Sequence, residues 1–142
     1  MPKILNLRMW LINCSHNGLY EQLEEDYKQA RELYAAAENR FPGVALYSAG
    51  LGYCLGKLGL YEDALARAQR ADELDPDNYL HLNDLGWTFH EAGYPDRAEE
   101  ALKKSIAFVP EDYEFARNNL KIVRDALRKR RKRNNALKPP TE

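Results

Sequence analysis

The feature that most restricts this chain is an internal repeat of about 34 residues. Residues 79–112 read YLHLNDLGWTFHEAGYPDRAEEALKKSIAFVPED. Moved back by one period, Gly86 falls on Gly52, Gly93 on Gly59, Ala98 on Ala64, Ser105 on Ala71 and Pro110 on Pro76. A second step reaches Gly18, Ala30, Ala37 and Pro42. Each unit carries two short helical patterns. A helix pair of this size buries its apolar faces by stacking on its neighbours, so the units share one thin, continuous core.

The units differ in quality. The first, about 11–44, is degenerate. Its second helix is clear: DYKQARELYAAAENRF places Ala30, Leu33, Tyr34 and Ala37 on one face. Pro42-Gly43 ends it, because proline cannot continue a helix. Its first helix is irregular, with Gly18 read as a small residue at a close helix contact. The second unit, 45–78, opens with a helix rich in small residues: Ala49, Gly50, Gly52 and Gly56. Such residues lower helix propensity, so their use is steric and lets neighbouring helices approach. Gly59 makes the turn. Ala64, Ala68 and Ala71 line the second helix, and Glu62, Asp63, Arg67, Gln69 and Arg70 face water. In the third unit, 79–112, the stripe runs through Leu82, Leu85, Gly86 and Phe89, then Ala98, Leu102, Ser105 and Ile106. Pro95 suits a first helical position, where its missing N–H does no harm. Tyr113, Ala116, Leu120, Val123 and Leu127 then predict one more helix over 113–127 that covers the open end of the stack. From Arg128 the apolar periodicity stops, and residues 128–142 are expected to form a basic, disordered tail.

These residues resemble the tetratricopeptide repeat family. The pattern is Leu-Gly in the first helix, an aromatic three residues on, then Gly, Ala, an aromatic, Ala and a closing proline. The third unit offers Leu85, Gly86, Phe89, Gly93, Ala98 and Pro110. The second offers Leu51, Gly52, Gly59, Ala64, Ala71 and Pro76, with Leu55 and Ala68 at its two aromatic positions. The first keeps Ala30, Tyr34, Ala37 and Pro42. The resemblance implies an all-α fold: a right-handed α-solenoid of three helix pairs and a capping helix. It also implies a concave groove lined by the first helix of each pair, in which family members commonly bind peptides or protein segments.

Projected onto that groove, the second unit offers Leu46, Ala49, Gly50, Tyr53 and Lys57. The third offers Asn83, Asp84, Trp87, His90 and Glu91, and the capping helix offers Arg117, Asn118, Lys121 and Arg124. Tyr53 and Trp87 are one period apart and should be neighbours along the wall. Large aromatics with polar neighbours commonly anchor binding surfaces. Some family members hold acidic chaperone tails with a clamp of Lys, Asn and Arg. The matching positions here are Ser15, Leu19, Gly50, Leu80 and Asp84, which argues against a chaperone C-terminal tail as partner.

Charge adds a second feature. The formal net charge is -1, yet residues 1–120 sum to -8 and residues 121–142 to +7. The run Arg128, Lys129, Arg130, Arg131, Lys132 and Arg133 reads first as a solvated helix end, where cations are favourable. It reads second as an attraction for nucleic acid or anionic lipid, and third, in a eukaryote, as a nuclear address. The tail has no aromatic residue for base stacking.

Catalytic signals are absent from the sequence. His16, His81 and His90 show no metal-ligand spacing, and no phosphate loop or nucleophile elbow occurs. The chain is therefore read as a non-enzyme with no metal and no cofactor. Cys14 and Cys54 read as small core thiols in a reducing compartment. The opening MPKILNLRMWLINCS faintly resembles a lipoprotein signal, but Asn6 and Arg8 interrupt its apolar run, so it reads as an amphipathic first helix. The function expected is a cytoplasmic protein-interaction adaptor that docks a partner segment in the groove. The alternatives are an accessory protein acting through the basic tail and a secretion-type chaperone. Leu5, Met9 and Trp10 are a candidate self-association surface.

Overall fold

The computed structural model describes residues 20–137, and six helices account for most of them. They are α1 (Tyr20–Arg40), α2 (Ala45–Lys57), α3 (Tyr61–Leu74), α4 (Tyr79–Glu91), α5 (Pro95–Phe108) and α6 (Phe115–Ala136). α1 is the second helix of the first unit; α2/α3 and α4/α5 are complete pairs. The stretch expected to form the first helix of the first unit, with Cys14, Gly18 and the candidate self-association residues Leu5, Met9 and Trp10, lies outside the described residues. So does the end of the tail from residue 138.

Each pair closes through a glycine turn. Gly59 and Gly93, one period apart, have φ of +78° and +87°, a region that side chains with a Cβ disfavour. The pairs are held close by glycines within the helices. A Cβ on Gly86 would lie 2.6 Å from Leu102 Cγ and 3.2 Å from the carbonyl oxygen of Ala98. A Cβ on Gly52 would meet the backbone of α3, 3.1 Å from both Ala64 O and Ala68 N. Ala64, Ala98 and Leu102 are fully buried at these crossings.

The core is thin and falls into two clusters of buried side chains. One part joins Tyr27, Ala30 and Tyr34 of α1 to Tyr47, Leu51, Cys54 and Leu55 of α2. The other joins Leu85 and Phe89 of α4 to Ala98, Ala101 and Leu102 of α5 and to Leu120, Val123 and Leu127 of α6. Polar links set the register between units. Glu38 of α1 is buried and accepts from Ser48 Oγ of α2 at 2.7 Å and from Arg67 of α3. Asn78 caps α4 by accepting from the N–H groups of Leu80 and His81, at 3.0 and 3.4 Å.

Three expectations need correction. Leu33 is half exposed rather than part of the core stripe of α1. The apolar arc there is carried by Tyr27, Ala30 and Tyr34, and Leu33 falls at its edge. The last helix starts at Phe115, not at residue 113; Tyr113 precedes it and meets Tyr79 edge to face at a ring-centroid distance of 5.0 Å. That helix also does not stop at 127. It runs through the whole basic run to Ala136, so residues 128–136 are helical rather than a disordered tail. Arg and Lys are good helix formers, and the end of apolar periodicity marks the end of packing rather than the end of the helix.

The crossings give a direct test. Gly86→Ala gains roughly 1 kcal/mol of helix propensity but forces a methyl into a filled contact, which costs about 1–3 kcal/mol. The steric term should win because Leu102 is fully buried and the carbonyl of Ala98 is backbone. Urea denaturation should therefore show Gly86→Ala less stable than wild type. Gly43→Ala, where nothing lies within 4 Å, should be neutral or slightly stabilised. Equal midpoints for the two variants would contradict the close-contact reading.

Candidate functional site

The repeat places equivalent side chains of α2 and α4 side by side. Tyr53 and Trp87 occupy one position, and Lys57 and Glu91 occupy another one turn further on. Lys57 Nζ lies 5.4 Å from the ring centroid of Tyr53 and 6.0 Å from that of Trp87. It also meets Glu91 Oε1 at 3.4 Å. The ammonium is thus held against two aromatic faces and one carboxylate. The lysine and glutamate side chains keep only 27% and 22% exposure. A cation over an aromatic face is worth about 0.5–2 kcal/mol, more as it is desolvated. Tyr53 extends the wall toward α1 by an edge contact with Tyr27 at 6.2 Å, and Trp87 extends it toward His90 at 5.1 Å. Tyr53, Trp87 and His90 with the Lys57 ammonium therefore form a half-buried strip on α2 and α4, and Tyr27, itself buried in the core, backs it from α1.

The other expected site residues divide. Asn83 is buried and accepts from Asn119 Nδ2 of α6 at 2.9 Å, so it fastens the capping helix to the stack instead of facing a partner. Asp84 is half-buried one turn before Trp87, and its carbonyl accepts from Thr88 Oγ1 at 2.8 Å. Arg117 turns onto the backbone and donates to the carbonyls of Tyr113 and Glu111 at 2.9 and 3.4 Å. Arg124 crosses to α5 and donates to Glu99 Oε1 at 2.9 Å. These two cations hold the last helix in place, and the acidic-to-basic gradient expected along the face is reduced accordingly. Asn118 and Lys121 are exposed.

Sequence reading missed two apolar members. Phe115 and Ile122 are 62% and 47% exposed. They lie one turn to either side of Asn119, the residue that touches α4, so they share its side of α6. Leu80, at the start of α4, is 41% exposed. The signal was present in the spacing of Phe115 and Ile122, but the stronger stripe through Ala116, Leu120, Val123 and Leu127 masked it.

The opposite side of the stack offers less. A cleft of about 800 Å³ opens between α1 and α3. Its arginines, Arg31, Arg67 and Arg70, face Glu32, Glu38 and Asp63, and Arg67 already pairs with Glu38. Its charges largely compensate one another over a lining that includes Ala35, Leu51 and Leu55. Among the described residues no three His, Cys, Asp or Glu side chains gather as a metal set, and no helix is long and apolar enough to cross a membrane.

Comparison with known proteins bears on the fold. No family model matches the chain. The chain is 30% identical over 82 residues to the small glutamine-rich tetratricopeptide repeat-containing protein 2 of Saccharomyces cerevisiae, a match covering 58% of this chain and 24% of that protein. It thus spans about a quarter of the length of that relative. The crystal structure of the Sgt2 TPR domain from Aspergillus fumigatus superposes with a TM-score of 0.63 at 20% identity, covering 100% of this chain and 88% of that one. The chain has the tetratricopeptide-repeat fold. Two further neighbours of similar fold carry bound segments. The first TPR of Spaghetti (RPAP3), bound to the HSP90 peptide SRMEEVD, has a TM-score of 0.58 at 15% identity, covering 89% of this chain and 94% of that one. PcrH in complex with the chaperone binding region of PopD has a TM-score of 0.57 at 21% identity, with 88% and 93% covered.

The assignment of Arg124 to structure rather than to a partner is testable by pH. Its hydrogen bond is the main influence holding the Glu99 carboxyl below its ordinary range, with Lys103 acting in the same direction and burial opposing. A depressed carboxylate contributes stability above its unfolded pKa and loses it as pH falls through the folded value. The stability gap between wild type and Arg124→Ala, from urea titrations, should be present at neutral pH. It should close below the usual glutamate pKa of about 4.3. A gap that persisted unchanged into strong acid would contradict the pairing.

Proposed function

We propose that this protein is an interaction adaptor that docks an extended segment of a partner protein along the face of its first helices. The observation that carries the reading is the Tyr53–Lys57–Trp87–Glu91 cluster. It presents aromatic surface and a single ammonium in a repeat-spaced strip, with Leu80, Phe115 and Ile122 exposed as further apolar contacts. Aromatic anchors surrounded by satisfied polar groups dominate the affinity of protein interfaces. A segment with an apolar or aromatic residue would cover Trp87. An acceptor group on the segment would compete with Glu91 for Lys57. The neighbours that hold peptide or protein segments on the same fold support this reading.

The segment is not expected to be the HSP90 peptide. Gly50, Leu80 and Asp84 stand at positions where a carboxylate clamp needs basic or amide side chains. Gly50 is closed off by the ring of Tyr34, since a Cβ there would lie 2.3 Å from it. An acidic side chain at Asp84 would repel a peptide rich in glutamate.

Selection of linear peptides from a displayed random library, followed by calorimetric titration of the winners, tests the proposal. Peptides with an apolar anchor should bind, and SRMEEVD should show no saturable heat. Trp87→Ala and Tyr53→Ala should each weaken the selected peptides by roughly tenfold or more, with unchanged helicity by circular dichroism. Equal affinity in wild type and both variants would remove this face as the docking site.

A further inference from the structure

α6 is longer than the helix it packs on. It runs antiparallel to α5, and Arg130 meets Asp96, at the first turn of α5, at 3.4 Å. Residues 131–136 therefore continue past the end of the stack, by about 9 Å at a rise of about 1.5 Å per residue. Every residue from Arg128 to Leu137 is exposed, and no acidic residue falls between Asp125 and Leu137. Arg128 pairs with Asp125 and Arg130 with Asp96. Lys129, Arg131, Lys132 and Arg133 have no ion pair among the described residues.

The arrangement is not explained by capping alone. A helix C-terminus gains from cations only within its last turn. Here six stand in succession, and the spacings of three and four residues bring like charges together: Arg128 with Lys132, Lys129 with Arg133, Arg130 with Arg133. Such pairs oppose the helix. A polyanion would relieve that repulsion.

Geometry selects among polyanions. Successive residues turn by about 100°, so six consecutive cations point to all sides of the helix. A flat anionic bilayer reaches one side of a helix, and this segment has no apolar side to insert, since Arg128 to Asn135 contains no hydrophobic residue. A duplex groove places phosphates on both flanks of a helix, and the major groove is about 12 Å wide, enough to admit one. The segment also has no aromatic residue on which single-stranded bases would stack. We propose that the projecting end of α6 is a duplex nucleic-acid contact that binds through the phosphate backbone, independently of the first-helix face.

The test uses the full chain and a fluorescein-labelled duplex oligonucleotide, read by anisotropy across a salt series. A variant carrying Lys129→Gln, Arg131→Gln, Lys132→Gln and Arg133→Gln keeps good helix formers and touches no packed residue. Wild type should bind saturably, with affinity falling about a hundredfold between ~50 and ~200 mM KCl if four phosphates are engaged. The quadruple variant should lose most binding, and the slope of log affinity against log salt should shrink by about 3–4. Trp87→Ala should bind the duplex as wild type does. Undiminished duplex binding by the quadruple variant would overturn the proposal. So would co-sedimentation with phosphatidylserine vesicles in place of duplex binding, which would assign the helix to a membrane surface. Binding to neither would leave it as a capping helix only.

Discussion

The structure depends on how closely two helix backbones can approach within each pair. At Gly52 the first helix lies against the backbone of the second so that a methyl group would be tight, and at Gly86 a methyl group would collide with Leu102. That contact fixes the distance and angle within a pair. Because it recurs at the same place in consecutive units, it also fixes how one pair sits on the next. Side chains one period apart are then brought to the same face. Tyr53 meets the neighbourhood of Trp87, and Lys57 meets Glu91, because the glycines below them hold α2 and α4 in matching positions. The candidate site is a consequence of the packing rule rather than an addition to it.

Much of this was legible in the sequence, for physical reasons that differ by residue. Leu82, Leu85, Gly86 and Phe89 are spaced for one helix face, and all four are buried. The adjacency of Tyr53 and Trp87 follows from the period alone. What the period cannot give is the direction of a long, flexible side chain. Lys57 might have reached solvent; instead it lies over two rings and against a carboxylate. Register alone assigns Asn83, Arg117 and Arg124 to a partner, but register assumes that the next unit continues the stack. At the last helix it does not. Asn83 is taken up by Asn119, Arg117 by turn carbonyls and Arg124 by Glu99. The basic run reads as a tail because its apolar periodicity ends, yet a helix can outlast its packing partner when its residues favour helix.

Two surfaces of different character follow. The first-helix face is aromatic, half-buried and nearly charge-balanced, with Lys57 answered by Glu91, which suits a segment that buries side chains. The end of α6 is wholly exposed and cationic on all sides, which suits a partner recognised by charge and shape. The solenoid separates them: one lies along the side of the stack and the other projects beyond its end. One chain can therefore present both without either obstructing the other.

A partner segment received by the strip across α2 and α4 would be visible residue by residue. The most direct measurement is a backbone amide and indole NMR titration of isotope-labelled protein with a library-selected peptide. The largest perturbations should fall at Tyr53, Lys57 and Trp87, including the Trp87 indole N–H, and at their neighbours on the first helices. Perturbations concentrated on the cleft between α1 and α3, with the Trp87 indole unmoved, would contradict it.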